Sequence, residues 1–134
     1  MKYIVIGLGN FGASLACRLT SMDNEVIGVD NNMQKVEELK NKITHTISMD
    51  ATELSALSTL PLKDSDAVIV AIGESFGASV TIAALLQEMK PKRIIGRAFT
   101  QLHATVLKAL GVSEVVNPEQ DFAQHFAKRL TGEE

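Results

Sequence analysis

A short apolar run, Tyr3–Ile6, stops at Gly7, and further glycines follow at Gly9 and Gly12 before the chain resumes in helical rhythm. The stretch Gly7-Leu8-Gly9-Asn10-Phe11-Gly12 therefore fits G-x-G-x-x-G at the point where a first strand turns into a first helix. Each glycine has its own physical reason. Gly7 permits the tight turn, Gly9 carries no side chain to hold a phosphate off the backbone, and Gly12 lets the helix press against the sheet. The free N–H groups at that helix start, aided by the helix dipole, then face an anion. Taken alone, the same pattern also suits a plain structural turn without a ligand.

The rest of the chain repeats the strand-to-helix alternation. Strand candidates are Tyr3–Ile6, Glu25–Val29, His45–Ser48, Ala67–Ile72, Arg93–Gly96 and Glu114–Val116. Several are unbroken Val/Ile runs, as expected for strands covered on both faces. Helical patterns occupy Gly12–Leu19, Met33–Lys42, Glu53–Leu60, Ala78–Met89 and Gln101–Leu110, with Asn31 or Asn32 as caps of the second and Gly111 ending the fifth. The expectation is an α/β, Rossmann-like, doubly wound sheet of about six parallel strands with helices on both faces. At 134 residues, with no internal repeat or linker, the chain reads as one domain, residues 1–134.

Candidate ligand residues follow from the fold. Asp30 ends the second strand about 18 residues past the last glycine, where the fingerprint places a carboxylate for ribose hydroxyls. A carboxylate there repels a 2′-phosphate, so NADP is disfavoured. Asp50, Ala51 and Thr52 follow the third strand, beside the position an adenine would take, although Asp50 or Thr52 could equally cap the helix at Glu53. Catalytic groups are not evident. His45, His103 and His125 are scattered without metal-ligand spacing, and His45 reads as half-buried structure at a strand entry. Cys17, the only cysteine, reads as a packing thiol among small residues. A net charge of −3 without a Lys/Arg cluster gives no reason to expect nucleic acid as a partner. No apolar run approaches the roughly 18 residues of a membrane span, so the expected location is the cytoplasm.

The segments YIVIGLGNFGASLA, EVIGVD, MDAT, SDAVIVAIGE, GRA and HATVLKALGVSEVVNPEQD together resemble the N-terminal nucleotide-binding (TrkA-N) domain of the RCK/KTN family. These are cytosolic regulatory subunits of Trk- and Ktr-type potassium transport systems. The resemblance covers nearly the whole chain, and the last segment is its most specific part. It implies a homodimer, often assembled further into a ring under a membrane potassium-translocating subunit. Bound NAD(H) or ADP/ATP would change the ring's shape and so control potassium flow, with no substrate turned over.

Carried over residue by residue, the resemblance assigns Gly7, Gly9, Asn10, Phe11 and Gly12 to the phosphate loop. Asp30 with Asn31 would hold the ribose, and Asp50, Ala51 and Thr52 would border the adenine. Gly73 and Glu74 would sit beside the diphosphate, and Arg97 would neutralise a phosphate, or else form a surface ion pair. Glu119 would help place a cation near a terminal phosphate or the dimer seam, although Asn117-Pro118-Glu119 is also an ordinary helix start. One departure from the family is Asn10, where ATP-responsive members carry a basic residue, so NAD(H), ADP or AMP become better candidates than ATP. Another is length, since family members usually continue into a smaller C-terminal regulatory domain that these residues do not include. The tail, with Phe122, Phe126 and Leu130 at helical spacing, corresponds to a C-terminal crossover helix that meets a partner subunit, unless it packs on its own sheet. The alternative to a sensor is a fragment of an NAD-dependent oxidoreductase whose substrate domain is missing.

Overall fold

A computed structural model describes residues 1–73 and 75–133. Its strands are β1 (Lys2–Ile6), β2 (Glu25–Asp30), β3 (His45–Ser48), β4 (Ala67–Val70), β5 (Ile94–Arg97) and β6 (Glu114–Val116). They form one six-stranded sheet in the order β3-β2-β1-β4-β5-β6, with every pair parallel. The helices are α1 (Asn10–Ser21), α2 (Met33–Leu39), α3 (Leu54–Leu57), α4 (Phe76–Met89), α5 (Gln101–Ala109) and α6 (Pro118–Thr131). The strand order reverses between β1 and β4, and in such sheets the crevice outside the strands' carboxyl ends at that reversal is where ligands bind.

The two sheet faces have different covers. Ile4, Ile6, Val68 and Val70 pack with Leu57 of α3 and with Ile82 and Leu86 of α4. On the opposite face Val5, Val26, Ala67 and Ile69 pack with Ala16, Leu15 and Leu19 of α1 and with Ile43 and Leu39 at the end of α2. Leu107 of α5 joins Ala83 and Ala98 beside the first of these layers. All of β4 is buried, which explains why its sequence is a continuous apolar run with no alternation. Burying a side chain such as Ile82 or Leu86 contributes about 1.5–3 kcal/mol. α6 differs from the rest: none of its residues is buried, and Phe122, Phe126 and Leu130 are 59%, 40% and 73% exposed.

Several expected boundaries are corrected. β4 ends at Val70, not Ile72, because Ala71 and Ile72 turn to lie against the Gly7 turn; a Cβ at Gly7 would sit 2.9 Å from the Ile72 nitrogen. α1 starts at Asn10, with Gly9 as an extended cap, and so includes Gly12 within the helix. α2 ends at Leu39, and α3 is a single turn. α4 begins two residues earlier than expected, at Phe76, because the Ser75 hydroxyl accepts the Ala78 N–H at 3.1 Å. β5 is displaced by one residue and takes in Arg97. His45 is exposed and lies 3.7 Å from Glu25, not half-buried. Cys17 is half-buried against the α1-side core.

Candidate functional site

The site is assembled at the carboxyl edge of β1, β2, β4 and β5. Gly7 has φ +102°, a region that L side chains rarely adopt, and its N–H donates to the Val29 carbonyl at 2.7 Å. This links the turn after β1 to the end of β2. A Cβ on Gly12 would lie 1.8 Å from the Gly7 carbonyl oxygen, so the helix and the turn touch there through bare backbone. Gly9 behaves differently: a Cβ on it would meet nothing within 4 Å, and its φ of −73° suits any residue. Gly9 caps α1 without a side-chain hydrogen bond, so the first amides of a twelve-residue helix have no side-chain cap, and the space beside Gly9 is open.

Asp30 braces this loop. One carboxylate oxygen accepts the Leu8 N–H at 2.7 Å, and the other accepts the Asn32 N–H at 2.8 Å. The capping of α2 falls to Asn32, whose Oδ1 accepts the Gln34 and Lys35 N–H groups at 2.9 and 3.3 Å, so Asp30 is not needed as a cap. Asp50 accepts the Thr52 hydroxyl at 2.6 Å and the Thr52 N–H at 3.0 Å. The Thr52 hydroxyl foremost, and then its amide, hold the Asp50 carboxyl below its ordinary value. Neither Asp50 nor Thr52 caps α3; Glu53 occupies that position with no side-chain bond.

A cleft of about 510 Å³ joins these residues, within the range of small-molecule sites. Gly7, Gly9, Asn10 and Phe11 line one wall, Asp30 and Asn31 an end, and Asp50, Ala51 and Thr52 the border past β3. Gly73, Arg97 and Glu119 also line it. Gly12 lies beneath the loop and does not line the cleft, and Glu74 lies outside the described residues. The structure adds Lys35, Met49, Ile72, Ser75, Ala78 and Phe99 to the lining. Of these Met49, Ile72 and Phe99 carried a readable signal, as apolar residues just past the carboxyl ends of β3, β4 and β5.

Arg97 was the residue whose role the sequence left open, between a phosphate ligand and a surface ion pair. It is paired, through Nη2, with a Glu119 carboxylate oxygen, but it is not at the surface: its side chain is 7% exposed and that of Glu119 is 60% exposed. The guanidinium carbon lies 4.1 Å from the Phe99 ring centroid and 5.4 Å from that of Phe11, close enough for cation–π attraction. Its Nε is buried without a hydrogen-bond partner among the described residues. Phe99 is in turn held from behind. Its N–H donates to Nδ1 of His103 at 3.3 Å, which assigns the His103 proton to Nε2, 2.9 Å from the Ser79 hydroxyl. Burial lowers the His103 pKa below 6.5, so the ring stays neutral.

Among the described residues, no group of three or more His, Cys, Asp or Glu side chains could hold a metal ion, and no helix is long and apolar enough to cross a membrane.

The chain is similar to known proteins in sequence and in fold. The chain is 36% identical to the Ktr system potassium uptake protein C of Bacillus subtilis (strain 168) over 129 residues, 96% of this chain and 58% of that one. It is 36% identical to the Ktr system potassium uptake protein A of the same organism over 132 residues, 98% of this chain and 60% of that one. The chain thus spans about three fifths of the length of these relatives. Among solved structures, the NAD(P)-binding domain of an exopolyphosphatase-related protein from Archaeoglobus fulgidus superposes with a TM-score of 0.86 at 25% identity, covering 97% of both chains. The TrkA-N domain profile matches residues 3–118, and the chain belongs to the TrkA-N domain family.

Proposed function

We propose that the chain is the nucleotide-sensing domain of a regulatory subunit that controls potassium movement through a membrane-embedded transport subunit. The observation that carries the reading is the cradle at Gly9. Uncapped amides of α1 face open space at a residue where a side chain would meet no protein atom. An anion at a helix N-terminus is favoured by those donors and by the helix dipole. Arg97 lines the same cleft, and its buried Nε, without a hydrogen-bond partner among the described residues, is a second group that a phosphate oxygen would satisfy.

An adenine nucleotide fits these residues: NAD(H), ADP or ATP, with a 2′-phosphate opposed by the charge of Asp30. Gly7, Gly9, Asn10 and Phe11 would meet its phosphates, Asp30 with Asn31 the ribose, and Asp50, Ala51 and Thr52 the adenine. Potassium uptake is the named role of the two Ktr relatives. Extending it to this chain makes the domain a binding module that acts by changing shape, not by turnover, on the cytoplasmic side of the membrane beside its transport partner. The exposed stripe of Phe122, Phe126 and Leu130 on α6 is the proposed seam of a homodimer.

The test is calorimetric titration of the purified chain with ADP, ATP, AMP and NADH, followed by measuring how the bound ligand alters association with a potassium-translocating subunit in membranes. Saturable binding of at least one nucleotide, with altered association, is expected. Absence of binding to all four, or oxidation of NADH with an added carbonyl substrate, would refute the sensor reading.

A further inference from the structure

The Arg97–Glu119 pair is half-made in an informative way. In a guanidinium group, Nε–H and one Nη–H lie parallel along one edge, the edge that takes a carboxylate or phosphate with two hydrogen bonds at once. Here Glu119 takes only Nη2, while the neighbouring Nε is buried without a partner among the described residues. A buried donor left unmatched calls for an explanation. Arg97 is held in place by the backbone of β5 and by the rings of Phe11 and Phe99. Glu119 is the exposed member: its side chain is largely open to solvent, and it stands in the first turn of α6, a helix without a buried residue. Both residues line the cleft.

We infer that Arg97 exchanges partners. A nucleotide phosphate takes the whole Nε/Nη2 edge and displaces the Glu119 carboxylate from it. The exchange selects among ligands, on the premise that the cleft binds adenine nucleotides at all. An esterified phosphate of a dinucleotide carries one negative charge, no more than the carboxylate it must displace. A free terminal phosphate carries about −1.5 to −2 at neutral pH, and so wins the competition. Arg97 and Glu119 thereby make the cleft favour a nucleotide ending in an unesterified phosphate over NAD(H). The same event releases the N-terminal turn of α6 from β5, which connects ligand chemistry to the helix bearing the exposed Phe122–Phe126 stripe.

The test is a double-mutant cycle read by calorimetry with ADP and NADH. Glu119→Gln removes the competing charge at an exposed position and is expected to tighten ADP binding about tenfold, with a much smaller change for NADH. Arg97→Gln is expected to weaken ADP binding and to erase the gain from Glu119→Gln. Arg97→Lys keeps the charge but lacks the two-donor edge, and is expected to lose the preference for ADP while remaining folded. Amide hydrogen exchange across residues 117–121 should quicken on adding ADP to the wild type and should already be quick in Glu119→Gln. If Glu119→Gln helps ADP equally with and without Arg97, the effect is plain charge repulsion and the exchange is wrong. Equal tightening of ADP and NADH would overturn the selection. Failure of the wild type to bind either nucleotide would instead remove the premise.

Discussion

Gly9 and Gly12 belong to one motif, but the structure separates their roles, and alanine at each position tests that separation. At Gly12 an added Cβ would lie 1.8 Å from the Gly7 carbonyl oxygen, 2.9 Å from its carbon and 3.2 Å from the Ala71 Cβ. The first two atoms are backbone and cannot rotate away, so α1 must lift from the turn. Overpacking of this kind costs about 1–3 kcal/mol, sometimes more. Gly12 is the third residue of α1, and replacing a helical glycine returns at most about 1 kcal/mol in helix propensity. With a backbone neighbour at 1.8 Å the upper end of the cost applies, for a net loss of about 2 kcal/mol. Gly12→Ala should therefore lower the melting temperature by about 5–10 °C for a chain of this size. At Gly9 a Cβ meets nothing within 4 Å. Gly9→Ala should stay within about 0.5 kcal/mol of wild type yet weaken nucleotide binding at least about tenfold, the loss of roughly 1.4 kcal/mol. Urea unfolding and calorimetric titration of both variants check the pair. A stable Gly12→Ala, or a Gly9→Ala that binds ADP and NADH as well as wild type, would refute the division of labour.

Three further outcomes follow from the same contacts. Asp30→Ala removes the acceptor of the Leu8 and Asn32 amides, and should weaken nucleotide binding by about 1–3 kcal/mol; titration that shows unchanged affinity would remove Asp30 from the site. His103 is kept neutral by burial, with a folded pKa below the ordinary 6.5. Between those two values the unfolded chain binds more protons than the folded one, so stability is complete above about pH 6.5 and falls as pH drops through the window toward the folded pKa. Melting curves from pH 8 down to 5 should show that slope, and His103→Asn, though less stable, should lose it. Replacing both Phe122 and Phe126 with Glu alters side chains that are exposed within the subunit. Light scattering should report a monomer with wild-type folding cooperativity, whereas an unchanged dimer mass would place the seam elsewhere.

The sheet was legible because its signals are local. Apolar strand candidates alternating with helical patterns, and the strand-to-helix glycine turn, predict β1 to β6 and their parallel arrangement without any long-range information. The errors lie where a tertiary contact overrides a local pattern. Ala71 and Ile72 continue the AVIV run in composition, but the packing of Ile72 against Gly7 bends them out of β4. The apolar pattern placed the start of α4 at Ala78, yet the Ser75 cap extends it to Phe76. Of the site, Gly7, Gly9 and Asp30 could be read from spacing alone. The brace from Asp30 to the Leu8 amide could not, since residues 22 apart in sequence meet only once β1 and β2 pair. The burial of Arg97 was likewise invisible, because it depends on Phe11 and Glu119 arriving from α1 and α6 to join Phe99, its neighbour in the chain.

The central claim is that backbone amides at the start of α1 grip an adenine nucleotide's phosphates. A crystal structure of the chain grown with ADP tests it most directly. The account predicts phosphate oxygens within about 3 Å of the amides at the Gly9-Asn10-Phe11 turn, with the ribose hydroxyls on Asp30. ADP bound elsewhere on the protein, with those amides facing only solvent, would contradict it.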